Sequence, residues 1–270
     1  MQNELKTAIG FNDFVAYFGA RGTGYGLVDG AAHAARIRQD QNSFPFLQIV
    51  GAAGSGKSLL LEYLQKLNGQ TAYVHSVAHA TPTGRVRTFA KPGQRVVICE
   101  DHGESVQPID WDELKPFFSS GNVITRTGKD QSEEVTFGGA LVITANQMLA
   151  CSDAVSSRLI LVDLSAPDAH IPRVRPDAIG DLDASEASAF GTKVAQSEEW
   201  ISSHLKTYVP VHGPAIAQRG QRLNTRTALN CAQMLALLDL LCTLLSISEE
   251  LRLETRKLIY DIAFLDTIPY

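Results

Sequence analysis

The chain has 270 residues, of which 44% are hydrophobic and 20% charged, with a net charge of −5. This is the composition of an ordinary globular protein, long enough for one large domain or for a core with an appendage. The acidic balance excludes a surface that coats nucleic acid uniformly, so any nucleic-acid contact must come from basic groups concentrated locally. The four cysteines, Cys99, Cys151, Cys231 and Cys242, lie far apart and form no C-x-x-C pair. Free thiols in a reducing cytosol are the expectation. The first residues, MQNELKTAIG, lack a basic segment followed by an apolar one, so no secretory leader is read there. The most apolar stretch, 228–247, is interrupted by Asn230, Gln233 and Asp239. It suits a buried helix rather than a membrane span, and a cytoplasmic protein without membrane contact is expected.

In chain order, residues 1–40 read as mostly helical, broken by GARGTGYG at 19–26. Gly22, Gly24 and Gly26 have no strand feeding them and read as a loop rather than a nucleotide site. FPFLQIV at 44–50 is an apolar strand that ends directly at a glycine. There follow Gly51, Ala52, Ala53, Gly54, Ser55, Gly56, Lys57 and Ser58, and then LLLEYLQKL with leucines at helical spacing. Strand, glycine-rich loop and helix is the setting in which G-x-x-x-x-G-K-[ST] becomes a phosphate-binding loop. Glycines let successive backbone N–H groups curl around an anion without a Cβ in the way. The helix adds its own unpaired N–H groups and the positive end of its dipole. Lys57 can then reach the β- and γ-phosphates of a bound nucleotide, and the Ser58 hydroxyl can ligate Mg²⁺.

AYVHSV at 72–77 reads as a second strand, and 81–94 as a turn-rich basic connection. RVVICED at 95–101 is a buried parallel strand closed by two acids, Glu100 and Asp101. Residues 111–119 form a short helix capped by Asp110. Residues 123–137 have two β-leaning arms around Thr-Gly-Lys-Asp, which predicts a hairpin with Arg126 on the rising arm and Lys129 at the tip. LVITAN at 141–146 is a strand ending in Asn146, and RLILVD at 158–163 a strand opening on Arg158. Strands alternating with helices argue for an α/β fold built on a parallel sheet. The division expected is a helical N-terminal segment at 1–40, the α/β core at 41–168, a proline-rich linker at 169–184 and a helical domain at 185–270.

The order GAAGSGKS, VVICED, a helix, a basic-tipped hairpin, LVITAN and SSRLILVDL resembles the AAA+ ATPase of superfamily-3 helicases. That family includes polyomavirus large T antigen, the papillomavirus helicase and the helicase half of phage and plasmid primase–helicases. The resemblance covers roughly 44–165, and the twelve-residue step from Asn146 to Arg158 is its specific feature. It implies an AAA+ phosphate-loop core with a central parallel sheet and a pore hairpin. The implied activity is ATP hydrolysis that drives translocation on single-stranded DNA at a replication fork. A hexameric ring, the cofactors ATP and Mg²⁺, and a primase or origin-binding domain as partner are implied with it. Glu100 and Asp101 would hold hydrated Mg²⁺ and polarise the attacking water, without the sequence deciding which acid does which. Asn146 resembles the sensor asparagine, Arg158 the arginine finger supplied to a neighbour's ATP site, and Lys115 a basic residue that acts in trans in some relatives. Lys129 and Arg126 would contact the DNA backbone. Two departures stand out. Phe46, Leu47 and Gln48 replace the lysines that viral relatives carry before the phosphate loop, and Asp130 replaces an aromatic or histidine beside Lys129. Contact at the tip is therefore expected to be electrostatic rather than by base stacking. The alternative reading is a non-helicase AAA+ ATPase that remodels or senses a protein partner, although no aromatic–glycine pore loop is present to serve it. A monomeric kinase would have no use for Asn146 and Arg158 in this order.

Overall fold

The runs rich in Val, Ile and Leu lie side by side in the computed structural model of the chain. It describes residues 30–67, 69, 74–76, 81–89, 96–100, 110–126, 132–165, 175–219, 223–245 and 247–265. Among these the strands are β1 (Phe46–Val50), β2 (Val74–Ser76), β3 (Val96–Glu100), β4 (Asn122–Arg126), β5 (Ser132–Thr136), β6 (Ala140–Ala145) and β7 (Leu159–Asp163). The helices are α1 (Ala34–Gln41), α2 (Lys57–Leu67), α3 (Pro82–Phe89), α4 (Lys115–Ser119), α5 (Asp153–Ser156) and α6 (Asp177–Gly180). They continue with α7 (Ala184–Ala195), α8 (Glu198–Arg219), α9 (Thr225–Leu245) and α10 (Glu249–Leu265). Five strands form one parallel sheet in the order β2-β3-β6-β1-β7, and β4 and β5 pair separately as an antiparallel hairpin.

Alternation along the strands explains why their sequences are apolar throughout: both faces are covered. Leu47, Ile49, Ile98 and Val142 pack with α2 and the C-terminal helices on one side. Phe46, Val97, Cys99, Leu141 and Ile143 pack with α3 and α4 on the other. Each large side chain so buried contributes about 1.5–3 kcal/mol, whereas an exposed pair such as Arg87–Glu133 contributes at most about 1 kcal/mol. Apolar burial therefore holds the sheet. Phe46, Leu47 and Gln48 are all buried within β1, so none of them presents a side chain to a second molecule.

The helix α9 is long and apolar enough to cross a membrane, yet nearly all of it is buried inside this fold. Its polar residues show why. Asn230 donates to Ser157 O (3.0 Å), Gln233 donates to Ser43 Oγ (2.9 Å), and Asp239 accepts from Arg252 (2.7 Å) and Arg256 (3.2 Å). The four cysteines are free thiols.

The segment read as a turn-rich connection contains a helix instead, α3. Thr81 caps it, accepting from Gly84 N (3.1 Å), and Pro82 fills the first helical position, where its missing N–H costs nothing. Burial of Val86 and Phe89, with Arg85 paired to Glu113, outweighs the low helix propensity of Gly84.

The hairpin is anchored at its base. Gly121 is left-handed (φ 74°), and a Cβ there would meet Phe137 O at 2.5 Å, so only glycine fits. Buried Arg38 of α1 lies against the Phe44 and Phe137 rings and donates to Phe137 O (3.3 Å) and Gly139 O (2.7 Å). Helix α1 is also tied to α8. Asp40 accepts from Ser202 Oγ (2.5 Å) and pairs with Lys206 (3.0 Å) and Arg36 (3.0 Å). Burial alone would raise the Asp40 carboxyl, but the hydrogen bonds from Ser202, Lys206 and Arg36 prevail and hold it at about 2. A carboxyl depressed on folding stabilises the native state above its unfolded value near 3.9, and that contribution is lost as pH falls through about 2. Asp40→Asn is expected to lower stability at neutral pH and to flatten the loss of stability between pH 4 and 2. Denaturant titrations across that window check it.

A candidate nucleotide site at the carboxyl edge of the sheet

The loop after β1 takes the shape its glycines permit. Gly54 and Gly56 are left-handed, with φ of 81° and 90°, a conformation that L side chains rarely adopt. At Gly51 the constraint is space: an added Cβ would meet Ser55 Oγ at 2.4 Å and Leu164 Cβ at 3.2 Å. The Ser55 hydroxyl is itself buried, with no hydrogen-bond partner among the described residues. Helix α2 starts at Lys57, and the bond from Leu60 N to Gly56 O (3.0 Å) opens its ladder. The N–H groups of its first turn have no intrahelical acceptor and meet the mouth of the loop. The end of β7 supports the loop from beside it. Leu164 N donates to Val50 O (2.9 Å), Ala52 N donates to Ser165 Oγ (2.9 Å), and Asp163 Oδ1 accepts from Ser165 N (2.7 Å). Ser165 is not legible as a site residue in the sequence, because only the pairing of β7 with β1 carries it there.

Register places the other predicted groups. Val50 is opposite Ala145, so Asn146 leaves the sheet level with the start of the loop. Lys57 Nζ donates to Asn146 Oδ1 (3.3 Å), to Ala52 O (3.0 Å) and to Gly51 O. Two residues 89 positions apart thus meet at one point. Glu100 lies opposite Thr144 at the end of β3, on the same carboxyl edge, with β6 between β3 and β1. A gap of two strand spacings, roughly 10 Å, is room for a phosphate and a hydrated ion. Ser58 is exposed at the start of α2. Asp101 lies outside the described residues, as do Lys129 and the rest of the hairpin tip at 127–131; of Arg126 only the backbone, at the end of β4, is described.

The fit to ATP and Mg²⁺ rests on the shape of this edge. The loop has no room for a Cβ at Gly51, and it brings together a buried hydroxyl at Ser55 with no partner among the described residues, a helix N-terminus and one lysine. Those are donors suited to an anion. Ser58 and Glu100 supply oxygens suited to a hard divalent cation.

Arg158 lies elsewhere. Its carbonyl accepts from Phe46 N (2.9 Å), at the amino edge of the sheet. The length of β1 separates that edge from the phosphate loop, roughly 17 Å at the strand rise. Its guanidinium donates to Ala154 O and sits 5.2 Å from the centre of the Phe118 ring. Burial, and after it the charge of Arg226, pulls it below the usual arginine value. Lys115 opens α4 on the same side of the molecule and pairs with Asp112, which also accepts from Ser152 Oγ (2.6 Å). Hydrogen bonds from Lys115 and Ser152 hold the Asp112 carboxyl below the usual range.

No protein-family model matches the sequence, and no curated protein matches it. Among solved structures the chain is similar to the "SCCmec type IV Cch - active helicase", with a TM-score of 0.64 and 11% sequence identity. The likeness covers 97% of this chain and 50% of that one, so the chain spans about half the length of that helicase. At this identity it shows a shared α/β fold.

Proposed function

We propose that the chain is the ATP-hydrolysing motor of a replicative DNA helicase of the superfamily-3 AAA+ type. One observation carries the reading: Lys57 of the phosphate loop and Asn146 at the end of β6 meet, with Glu100 on the same sheet edge. The insertion of β6 between β1 and β3 supports it, because a water above Asn146 would be flanked by the phosphate loop and the acidic strand end. In this reading Gly51, Ala52, Ala53, Gly54, Ser55 and Gly56 wrap the phosphates, and Lys57 neutralises their charge. Ser58, Glu100 and Asp101 would hold Mg²⁺, which when bound neutralises the oxygens of the β- and γ-phosphates. Asn146 orients the attacking water, and one of the two acids polarises it. The arginine at the opposite edge serves the site of an adjacent copy, which requires a ring, taken as a hexamer working in phage, plasmid or mobile-element replication. Particle mass with ATP and single-stranded DNA tests the assembly: a particle that stays one chain in size under both ligands overturns the ring.

The hairpin is assigned to DNA. Its base is held rigidly by Gly121 and Arg38, as a lever tracking a strand requires. Six copies of Lys129 would turn an acidic protein locally basic around a channel. Lys129→Ala is expected to weaken single-strand binding and to reduce its salt dependence by roughly 0.7 in slope for each phosphate no longer neutralised. Unwinding is expected to fall with it. Unchanged affinity, salt slope and unwinding would remove the hairpin from the mechanism and favour an AAA+ ATPase that acts on a protein partner.

A further inference from the structure

Beside Arg158 stands a second guanidinium, that of Arg226 in the first turn of α9. Its Cζ lies 5.9 Å from the centre of the Phe118 ring, and that of Arg158 lies 5.2 Å from the same centre. Helix α9 is fastened to the turn that carries Arg158: Arg226 Nη1 donates to Ser157 Oγ (2.9 Å), and Asn230 Nδ2 donates to Ser157 O (3.0 Å). Arg158 spends one donor on Ala154 O, while its buried Nε meets no partner among the described residues. Among the described residues neither guanidinium forms an ion pair. Asp112, the acid whose charge reaches Arg158, is engaged by Lys115 and Ser152. Both arginines are half-buried and keep some surface open, so an anion can approach from outside.

Two like charges on one phenyl ring repel, and partial burial weakens the screening by water. Such a pair becomes favourable when an anion meets both. A terminal phosphate fits this best: it carries several charges, and its oxygens match two planar N–H forks. The amino edge of the sheet also lies a full strand length from this chain's own phosphate loop, so the phosphate belongs to another molecule.

Building on the motor reading above, we propose that Arg226 is a second trans-acting arginine that joins Arg158 on the γ-phosphate of a nucleotide held by a second copy of this chain. In the reaction the bond from the β,γ-bridging oxygen to the γ-phosphorus breaks as a water oxygen bonds to that phosphorus. ADP, inorganic phosphate and a proton leave. Charge shifts onto the bridging and γ oxygens, and two guanidiniums stabilise it at both positions, where one would cover only part.

The test measures steady-state ATP hydrolysis by the full chain with single-stranded DNA present. Arg226→Gln keeps an N–H donor for Ser157 Oγ and removes the charge. It is expected to lower kcat about 10²-fold and to recover activity when mixed with Lys57→Ala subunits, whose Arg226 is intact. Arg226→Lys is expected to retain more activity than Arg226→Gln. With Arg158 already alanine, Arg226→Gln should remove a further factor of roughly ten. That last arm separates a contact with phosphate from a role in positioning Arg158, which would show no added loss. Wild-type kcat for Arg226→Gln, equal impairment of the Gln and Lys variants, no added loss beside Arg158→Ala, or no recovery on mixing would each overturn the assignment while leaving the motor reading standing. A wild-type chain that does not hydrolyse ATP overturns both.

Discussion

Arg158→Ala subunits are expected to bind ATP and to hydrolyse it only at a small residual rate. The reason is positional: the guanidinium is at the amino edge of the sheet, over Phe118, and a strand length separates it from its own phosphate loop. No rotamer of an arginine spans that gap, so its removal leaves the candidate nucleotide site of its own subunit intact. The loss is expected at about 10³–10⁵-fold in kcat, the range for an arginine that stabilises the transferring phosphoryl group. Mixing Arg158→Ala with Lys57→Ala subunits gives some interfaces in which a sound phosphate loop faces a sound arginine, and hydrolysis should return in part. If mixed particles form and stay inactive at every ratio, Arg158 does not act across an interface.

Lys57→Ala is expected to lose most of its nucleotide affinity together with at least about 10³-fold in turnover. Lys57 Nζ, surrounded by Gly51 O, Ala52 O and Asn146 Oδ1, is the one cation that the described residues bring to the carboxyl edge beside Asn146. Asn146→Ala separates binding from chemistry. On the proposed reading the loop that would hold the phosphates survives, while the group that would orient water is gone, so affinity should hold and kcat should fall about 10²–10³-fold. Glu100→Gln and Asp101→Asn are expected to behave like Asn146→Ala, binding nucleotide and stalling turnover. Isothermal titration with a non-hydrolysable ATP analogue, set beside steady-state rates, resolves the classes. Hydrolysis at the wild-type rate by Lys57→Ala, or by both carboxylate variants, would remove this sheet edge as the site of hydrolysis.

Much of this arrangement is local and therefore legible in the chain. Eight consecutive residues write the phosphate loop, since left-handed φ at Gly54 and Gly56 and close approach at Gly51 are demands on single positions. The apolar runs at 46–50, 96–100, 140–145 and 159–163 mark strands because both faces of the sheet are covered. Asp110 is readable as a cap, and its side chain accepts from Asp112 N (3.0 Å). Helix α3 is harder to read although Thr81 and Pro82 are start signals, because Gly84 and the basic residues argue against a helix until Val86 and Phe89 find a core to enter.

What a one-dimensional reading cannot supply is the order of strands. Sequence neighbours do not say that β6 lies between β1 and β3, because that choice is made by which apolar faces pack best over long chain separations. That order brings Asn146 to Lys57, puts Ser165 under the phosphate loop and keeps Arg158 at the far edge. It also lets α9 reach back across 69 residues to set Arg226 beside Arg158, a juxtaposition that no motif announces. The curve of the proposed phosphate loop is written in a few adjacent residues, since backbone curvature is set by its own short stretch of chain. Which distant side chains join that loop, and which face outward to another molecule, follows from the packing of the sheet and its helices.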